Sequence, residues 1–334
     1  LMHLPDLDAL LLAHGATPAH LGLVRRAWLQ GKPLDAGHPR PEHFFPARFR
    51  ASLPALNTTL DRLARVHSAH PAADGSTRLL VRLADGQTVE SVLLPREGVC
   101  VSTQVGCAVG CTFCMTGREG VKRHLGSAEI VAQVALARAR HPVRKVVFMG
   151  MGEPAHNLDA VLEAIACLGL EAGIAHKNLV FSTVGDLRAF ERLPLGPVKP
   201  ALALSLHTTK PALRAELLPR APRITPDELV RHANEYSLAT GYPVQYQWTL
   251  IQGVNDGDDE VEALARLLDG HYAVMNFIPF NALPDSPYRR PSMERGMEMV
   301  RALRSRGILA TLRYSAGQDV DGGCGQLRAR TLAA

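Results

Sequence analysis

The sequence predicts an α/β protein in which a parallel sheet is covered by helices. From residue 146 onward, short apolar runs typical of buried strands alternate with segments of helical periodicity, and the alternation continues to Tyr314. Polar motifs follow several of the strand-like runs, which is where the active sites of (βα) barrels lie. The alternation alone allows an open doubly wound sheet or a barrel, and the polar motifs favour a barrel-like enzyme.

Length and composition indicate a globular chain with one large and one smaller domain. The 334 residues are 46% hydrophobic and 21% charged, which excludes a disordered chain, a collagen-like fibre and a small disulfide-rich protein. The apolar runs are far shorter than the ~20 residues that cross a bilayer, and the N-terminus lacks the pattern of a secretory signal. We therefore expect a cytoplasmic protein without a membrane partner. The net charge of +5 is compatible with nucleic acid and equally with an ordinary solvated surface.

The N-terminal part of the chain predicts a small helical domain followed by a β-hairpin. Two groups of residues recur at helical spacing, Leu7, Leu10, Leu11 and His14 and then Leu21, Val24, Trp28 and Leu29, and the last predicted helix runs from Pro54 to Val66. Asp85-Gly86 then joins two β-prone runs, which is a strong hairpin signal, and Glu90 lies on the second strand. Beyond residue 140 the pattern predicts strands at 146–149, 178–182, 201–206, 244–251, 273–278 and 309–314, with helices at 161–168, 226–238, 260–268 and 293–306.

Three cysteines lie within eight residues in the loop Cys107-Ala-Val-Gly-Cys111-Thr-Phe-Cys114. A structural zinc site normally takes four ligands in two pairs, and no second pair follows nearby. A 4Fe–4S cluster accepts thiolates, and three of them leave one iron open. The spacing, with an aromatic residue before the last cysteine, resembles the radical-SAM superfamily. In that superfamily the open iron binds S-adenosylmethionine (SAM), and a one-electron transfer cleaves SAM to a 5′-deoxyadenosyl radical.

This resemblance implies a partial (βα)6 barrel that holds one 4Fe–4S cluster and SAM. The cluster ligands would be Cys107, Cys111 and Cys114. The segment Gly150-Met-Gly152-Glu153-Pro154 is similar to the superfamily's SAM-binding turn, where glycines allow close backbone approach and a carboxylate suits an ammonium group. The implied SAM contacts are Gly152, Glu153, Ser182, Ser205, Leu206, His207 and Asn281.

The three remaining cysteines differ in the role that their sequence surroundings predict, which is packing for one of them and chemistry for the other two. Cys167 lies in the apolar run Ile165–Leu168 and is assigned to the core, whereas Cys324 lies in a Gly-rich segment without periodicity. Cys100 lies seven residues before the first cysteine of the loop. With these residues, the chain from about 75 to 327 closely resembles the radical-SAM RNA methyltransferases that methylate C2 or C8 of adenosine. That family contains the dual-specificity 23S rRNA/tRNA enzyme and its antibiotic-resistance relative.

The family resemblance implies a role for each of these groups. One SAM methylates a cysteine that matches Cys324, and a second SAM starts the radical reaction, so two SAM are used per turnover. Glu90 matches the general base, and Cys100 matches the thiol that releases the product through a transient disulfide. The implied partners are 23S rRNA or tRNA and an electron donor such as flavodoxin or ferredoxin, and we expect a monomer. C2 is the expected target, although the sequence alone leaves C8 and the choice of RNA open.

The expected organisation has four parts: a helical accessory domain (1–70) that is a candidate for RNA binding, a β-hairpin extension (71–98), a radical-SAM barrel (99–316) and a C-terminal segment with the methyl-carrier cysteine (317–334). Two alternatives remain at this stage. One is a radical-SAM enzyme that modifies another RNA or a nucleotide. The other is a non-catalytic iron–sulfur or zinc protein that binds RNA, from which formation of 5′-deoxyadenosine would distinguish an enzyme.

Overall fold

The computed structural model describes residues 1–36 and 40–330. Its N-terminal part is helical, and three antiparallel strands follow. In chain order these elements are α1 (Leu4–Ala13), α2 (Pro18–Leu29), α3 (Pro41–Phe44), α4 (Ala47–Leu63), β1 (Arg65–Pro71), β2 (Thr77–Arg82) and β3 (Thr88–Leu94).

Strands and helices then alternate to the C-terminal segment. The elements are β4 (Gly98–Cys100), β5 (Gln104–Gly106), β6 (Val121–His124), α5 (Ser127–Arg138), β7 (Lys145–Phe148), α6 (Leu158–Leu170), β8 (Leu179–Thr183), α7 (Leu187–Arg192), β9 (Ala201–Ser205), α8 (Pro211–Leu217), α9 (Pro226–Thr240), β10 (Val244–Leu250), α10 (Asp258–Leu267), β11 (Ala273–Pro279), α11 (Met293–Arg304) and β12 (Leu309–Leu312).

The main sheet confirms the predicted α/β class. Its strand order is β1-β2-β3-β4-β7-β8-β9-β10-β11-β12, and every pair from β4 to β12 is parallel. Within the described residues, six strand–helix units are therefore followed by a seventh parallel strand, while β1 and β12 form the two edges. The strands predicted between residues 146 and 314 agree with β7 to β12 to within two residues. Helices on the outer face bury the apolar strands, as parallel sheets require.

The helix predicted over Pro54–Val66 was placed wrongly at both ends. Helix α4 begins at Ala47 and carries Pro54 in its interior, and it ends at Leu63. After Ala64, residues Arg65–Pro71 form β1, which pairs with β2 across the predicted boundary at residue 70. Exposed and half-buried residues alternate along β1, so no apolar period marks it in the sequence. The domain boundaries themselves stay predictions.

The predicted hairpin is formed by β2 and β3 around Gly86, whose φ of +85° suits glycine. Leu80 pairs with Glu90 in this hairpin, and two residues further along β3, Val92 pairs with Cys100 of β4. The extension therefore brings the predicted base to the edge of the parallel strands. No helix in the described residues is long and apolar enough to cross a membrane.

Candidate active site

One cavity at the carboxyl ends of the parallel strands collects ten of the thirteen predicted site residues. Strands β4, β8 and β9 end at this cavity, and the turn after β7 also lines it. The ten residues are Cys100, Cys107, Cys111, Cys114, Gly152, Glu153, Ser182, Ser205, His207 and Cys324. The thiols, carboxylate, hydroxyls and imidazole that the sequence singled out thus share one space.

The three-cysteine loop is held by tight backbone packing. Gly106 has φ +79°, and a Cβ there would lie 2.1 Å from the carbonyl oxygen of Gly120, so only glycine fits. Gly110 has φ +67°, and a Cβ there would meet the guanidinium of Arg220 at 2.3 Å. Both glycines thus adopt the left-handed backbone conformation that favours glycine, and at Gly106 the neighbouring backbone also leaves no room for a Cβ.

Backbone amides of the loop point at its sulfurs. The amides of Val109 and Gly110 hydrogen-bond Cys107, and those of Thr116 and Gly117 hydrogen-bond Cys114. Hydrogen bonds to sulfur and solvent exclusion are the means by which proteins tune iron–sulfur clusters. The loop therefore offers its thiols an environment that suits cluster thiolates.

Burial raises the pKa of all three loop cysteines, that of Cys107 to about 12. A bound metal is what makes deprotonation of such thiols favourable. Among residues 1–36 and 40–330, no three His, Cys, Asp or Glu side chains converge on a single metal ion. Three thiols close in sequence match the donor set of a 4Fe–4S cluster, in which each thiolate would bind one iron.

Glu153 is a buried carboxylate at the same cavity. It accepts hydrogen bonds from the amides of Ala155 and Val184, each at 3.0 Å, and from the hydroxyl of Thr183. Burial nevertheless raises the pKa of Glu153 to about 7, because the desolvation of its charge outweighs these bonds. A cation brought to this carboxylate would gain a buried partner, which suits the ammonium group of SAM.

The two glycines of the turn before Glu153 fit against the protein itself. A Cβ on Gly150 would lie 2.7 Å from the backbone of Val101, and one on Gly152 would lie 2.7 Å from the side chain of Gln104. The expectation that these glycines make room for a ligand is therefore incomplete, since they are also needed to pack the turn against the segment after β4.

His207 follows β9 with φ +65°, and its ring is buried. Its Nδ1 accepts a hydrogen bond from the amide of Thr249 at 2.9 Å, so in the neutral ring the hydrogen resides on Nε2. Burial, reinforced by the charge of Arg214, lowers the pKa of His207 to about 3. The ring is thus a neutral donor at the cavity, suited to an oxygen of the SAM carboxylate or ribose.

Cys100 and Cys324 are both free thiols, so the predicted disulfide is not formed in this structure. Burial, followed by the nearby Cys324, raises the pKa of Cys100 to about 12. Cys324 is exposed, and its loop is tied on two sides: Asn281 Nδ2 donates to the carbonyl of Cys324 at 2.9 Å, and the amide of Met115 donates to the carbonyl of Gly325 at 2.7 Å.

Three predicted site residues do not line this cavity. Leu206 is fully buried, and the Asn281 amide is engaged with the Cys324 loop. Glu90 is completely buried, and its Oε1 accepts from Arg78 and, at 2.8 Å, from Arg330. Its Oε2 accepts from the amide of Arg328 at 2.9 Å. The C-terminal segment therefore covers the carboxylate that the sequence assigns as base.

The comparison with known proteins decides the family. The sequence profile of the Radical SAM superfamily matches residues 101–268. This chain belongs to the radical SAM superfamily.

A probable RNA methyltransferase of Thiobacillus denitrificans is 67% identical over 331 residues, covering 99% of this chain and 91% of the relative. One of Leptothrix cholodnii is 66% identical, with 97% and 93% covered. The crystal structure of a radical SAM methyltransferase from Sphaerobacter thermophilus superposes with a TM-score of 0.85 at 37% identity and covers 98% of both chains.

The chain is thus a SAM-dependent radical methyltransferase, and its family implies a 4Fe–4S cluster and SAM as cofactors. The predicted enzyme class is confirmed. The non-catalytic alternative is accordingly set aside.

Two polar residues of the methyltransferase were missed at the sequence level. Arg214 on α8 is buried and donates to the carbonyls of Val184 and Ser205, at 3.2 Å to the latter, which links the ends of β8 and β9. Burial lowers the pKa of Arg214 to about 10, and the charges of Cys111 and Glu153 act in the opposite direction. Gln247 lines the cavity, and within the described chain its buried Oε1 has no donor. An unsatisfied acceptor there fits a hydroxyl or amino group of bound SAM.

Proposed function

We propose that this methyltransferase methylates a ring carbon of adenosine, C2, in 23S rRNA or tRNA, with Cys324 as the methyl carrier. RNA as the substrate class is supported by relatives that are named probable RNA methyltransferases over nearly their whole length. The single observation that carries the mechanism is that Cys324 and Cys100 line the same cavity as the three-cysteine loop.

The residues around that cavity divide into two sets. Cys107, Cys111 and Cys114 would hold the cluster, while Glu153 and His207, together with Gly152, Ser182 and Ser205, would hold SAM. When bound, these cofactors supply an electrophilic methyl group and, after one-electron reduction by a donor such as flavodoxin or ferredoxin, a radical that removes a hydrogen atom. Radical chemistry is required because C2 of adenine is an electrophilic carbon and does not attack a methyl group.

Cys324 is suited to carry the methyl group. Its thiol is exposed, so the proton it releases on methylation passes to solvent. Loss of a hydrogen atom from the S-methyl group leaves a carbon radical on Cys324, which adds to the ring carbon and joins RNA to protein through a methylene thioether. The hydrogen bonds from Asn281 and Met115 fix the loop in which this happens.

Cys100 is suited to release the product. Its sulfur attacks the sulfur of Cys324, a disulfide forms, and the carbon–sulfur bond electrons stay with the methylene carbon, which takes up a proton to become the methyl group. Removal of the ring proton is accompanied by the loss of one electron from the radical adduct to a one-electron carrier of the flavodoxin or ferredoxin class, which restores the aromatic ring. An external thiol reductant then restores both cysteines. Because the pKa of Cys100 is about 12, its proton must be taken up during the attack.

Glu90 is the proposed acceptor of the ring proton. Both of its oxygens are occupied by Arg78, Arg330 and the Arg328 amide. Arg330 and Arg328 belong to the C-terminal segment, whereas Arg78 lies on β2 and also donates to the carbonyl of Val320 at 2.5 Å. We infer that entry of the adenosine displaces the C-terminal contacts and that Arg78 keeps the carboxylate oriented.

The test separates the two thiols. Cys324→Ala has no sulfur to methylate and should neither bind RNA covalently nor form product. Cys100→Ala should accumulate RNA joined to Cys324, because the thioether forms but is not cleaved. Glu90→Ala should also stall after addition, because the ring proton has no acceptor. Each variant is purified from cells and run on denaturing gels before and after nuclease treatment.

Cys167→Ala is the matched control and should behave as the wild type. A Cys100→Ala protein free of RNA, under conditions where the wild type turns over, would defeat the two-thiol mechanism. Mass mapping of modified adenosines in rRNA and tRNA from a deletion strain tests the target, with loss of 2-methyladenosine as the expected result. Loss of 8-methyladenosine instead would move the reaction to C8.

A further inference from the structure

A second cavity lies outside the catalytic one, where the helical N-terminal part meets the three-stranded extension. Its volume is about 970 Å³, against about 210 Å³ for the catalytic cavity. The end of α4, the start of β1, the end of β2 and the end of α5 surround it. We call it the arginine groove, because its charged lining consists of Arg62, Arg65, Arg82 and Arg140 with His67 and one acid, Asp61.

The arginines of this groove are exposed and carry few internal partners. Over the described residues, Arg62, Arg65 and Arg82 make no ion pair and no side-chain hydrogen bond, and Arg140 donates only to a backbone carbonyl. Arg25, by contrast, is paired with two carboxylates, and what distinguishes the groove is that, in the described part of the chain, four arginines without such pairing line one cavity. Unpaired guanidinium groups keep their planar set of donors available, and that set matches the oxygens of a phosphate.

The position of the groove relative to Glu90 suits a long substrate. Arg78 contacts Glu90, and Arg82 lies four residues further along the same strand, β2. At about 3.3 Å per residue, the two arginines are roughly 13 Å apart along the strand. An RNA that places its target base beside Glu90 can therefore reach the groove within a few nucleotides.

We propose that the arginine groove binds the sugar–phosphate backbone of the RNA whose adenosine enters the catalytic cavity. The proposal rests on RNA being the substrate. Phosphate contacts position a nucleic acid and carry no sequence information. The groove would therefore set the register of the RNA on the enzyme, while the cavity selects the base.

The test compares two double variants of equal charge change. Arg62→Glu/Arg82→Glu alters the groove. Arg266→Glu/Arg301→Glu alters exposed arginines on α10 and α11, and α11 packs on β12 at the opposite edge of the sheet. Filter binding measures the affinity of each full-length protein for 23S rRNA and for total tRNA from a strain lacking the gene, over a series of salt concentrations.

The groove variant should bind about tenfold or more weakly, and the slope of log affinity against log salt should fall by about 1.4, because two contacts of about 0.7 each are lost. The control variant should keep the slope of the wild type. Equal slopes in the two variants would overturn the groove proposal. So would polyglutamate binding that the groove variant loses while its RNA affinity stays that of the wild type, because the occupant would then be an acidic protein.

A further readout separates this proposal from the proposed function. SAM binding by equilibrium dialysis, and 5′-deoxyadenosine formation with dithionite in the absence of RNA, should be unchanged in the groove variant and show that it is folded and loaded. A wild-type protein that binds neither 23S rRNA nor tRNA would refute the proposal that RNA is the substrate. A wild type that binds RNA no more tightly than the groove variant would refute the groove alone.

Discussion

The catalytic cavity and the arginine groove differ in how their charged side chains are exposed to solvent. In the cavity, burial moves the pKa of Glu153 up to about 7 and that of His207 down to about 3, so the surroundings set each protonation state. In the groove, four arginines are exposed to solvent and, within the described residues, make no ion pair. Buried groups can thus be tuned for a particular step, whereas exposed groups attract an anion whatever its detailed geometry.

The largest expected effect concerns the three-cysteine loop, the proposed cluster site of the cavity. Cys111→Ala should abolish the brown absorbance of the cluster and all SAM cleavage, because one iron loses its thiolate. Iron content and 5′-deoxyadenosine formation after anaerobic reconstitution measure both losses. The same variant should still bind RNA through the groove with wild-type salt dependence. Full iron loading of a variant lacking Cys107, Cys111 and Cys114 would contradict the cluster assignment and, with it, the contrast between the regions.

A smaller effect is expected at Glu153, the cavity carboxyl whose raised pKa marks the difference between the cavity and the groove. Glu153→Gln keeps the shape and removes the charge, so the affinity for SAM should fall about 10- to 100-fold, the usual range for a hydrogen bond to a charged group. The affinity of the wild type should fall about tenfold per pH unit below pH 7, since the protonated carboxyl offers no charge to the ammonium group. The variant should lack this pH dependence in equilibrium dialysis.

The raised pKa of Glu153 should affect folding stability in the direction opposite to SAM affinity, because stability falls as the pH rises. A carboxyl whose pKa is about 7 when folded and about 4.5 when unfolded favours the folded state below pH 4.5, and this contribution is lost as the pH rises to 7. The SAM-free protein should therefore lose stability over that range relative to Glu153→Gln. A SAM affinity that does not change between pH 8 and pH 6 would show that the surroundings do not control this carboxyl.

The sequence predicted what depends on local pattern. Continuous apolar runs marked the parallel strands, and the close spacing of Cys107, Cys111 and Cys114 marked a site, because side-chain type and spacing carry that information. Strand β1 was missed because none of its residues is buried. Its place in the sheet depends on pairing with β2, which no local pattern records.

The remaining features depend on tertiary contacts. Arg330 reaches Glu90 from 240 residues away, so the cover over the proposed base could not be read from either segment. Arg214 looks like a solvent-facing helical arginine in the sequence, and its burial is decided by the loops after β8 and β9. The groove arginines are likewise brought together from α4, β1, β2 and α5.

The smallest expected effect is at Cys167, which tests whether a shifted pKa by itself indicates function. Burial raises the pKa of this thiol to about 12, the same value as for Cys100. Cys167 packs in the apolar core on α6, whereas Cys100 lies on the cavity with Cys324. Cys167→Ala should lower the free energy of unfolding by about 1 kcal/mol, measured by denaturant titration, through the small cavity left behind. Its iron content, SAM cleavage and methylation should match the wild type. A Cys167→Ala enzyme that accumulated covalent RNA, as Cys100→Ala is expected to, would mean that position on the cavity does not distinguish the two thiols.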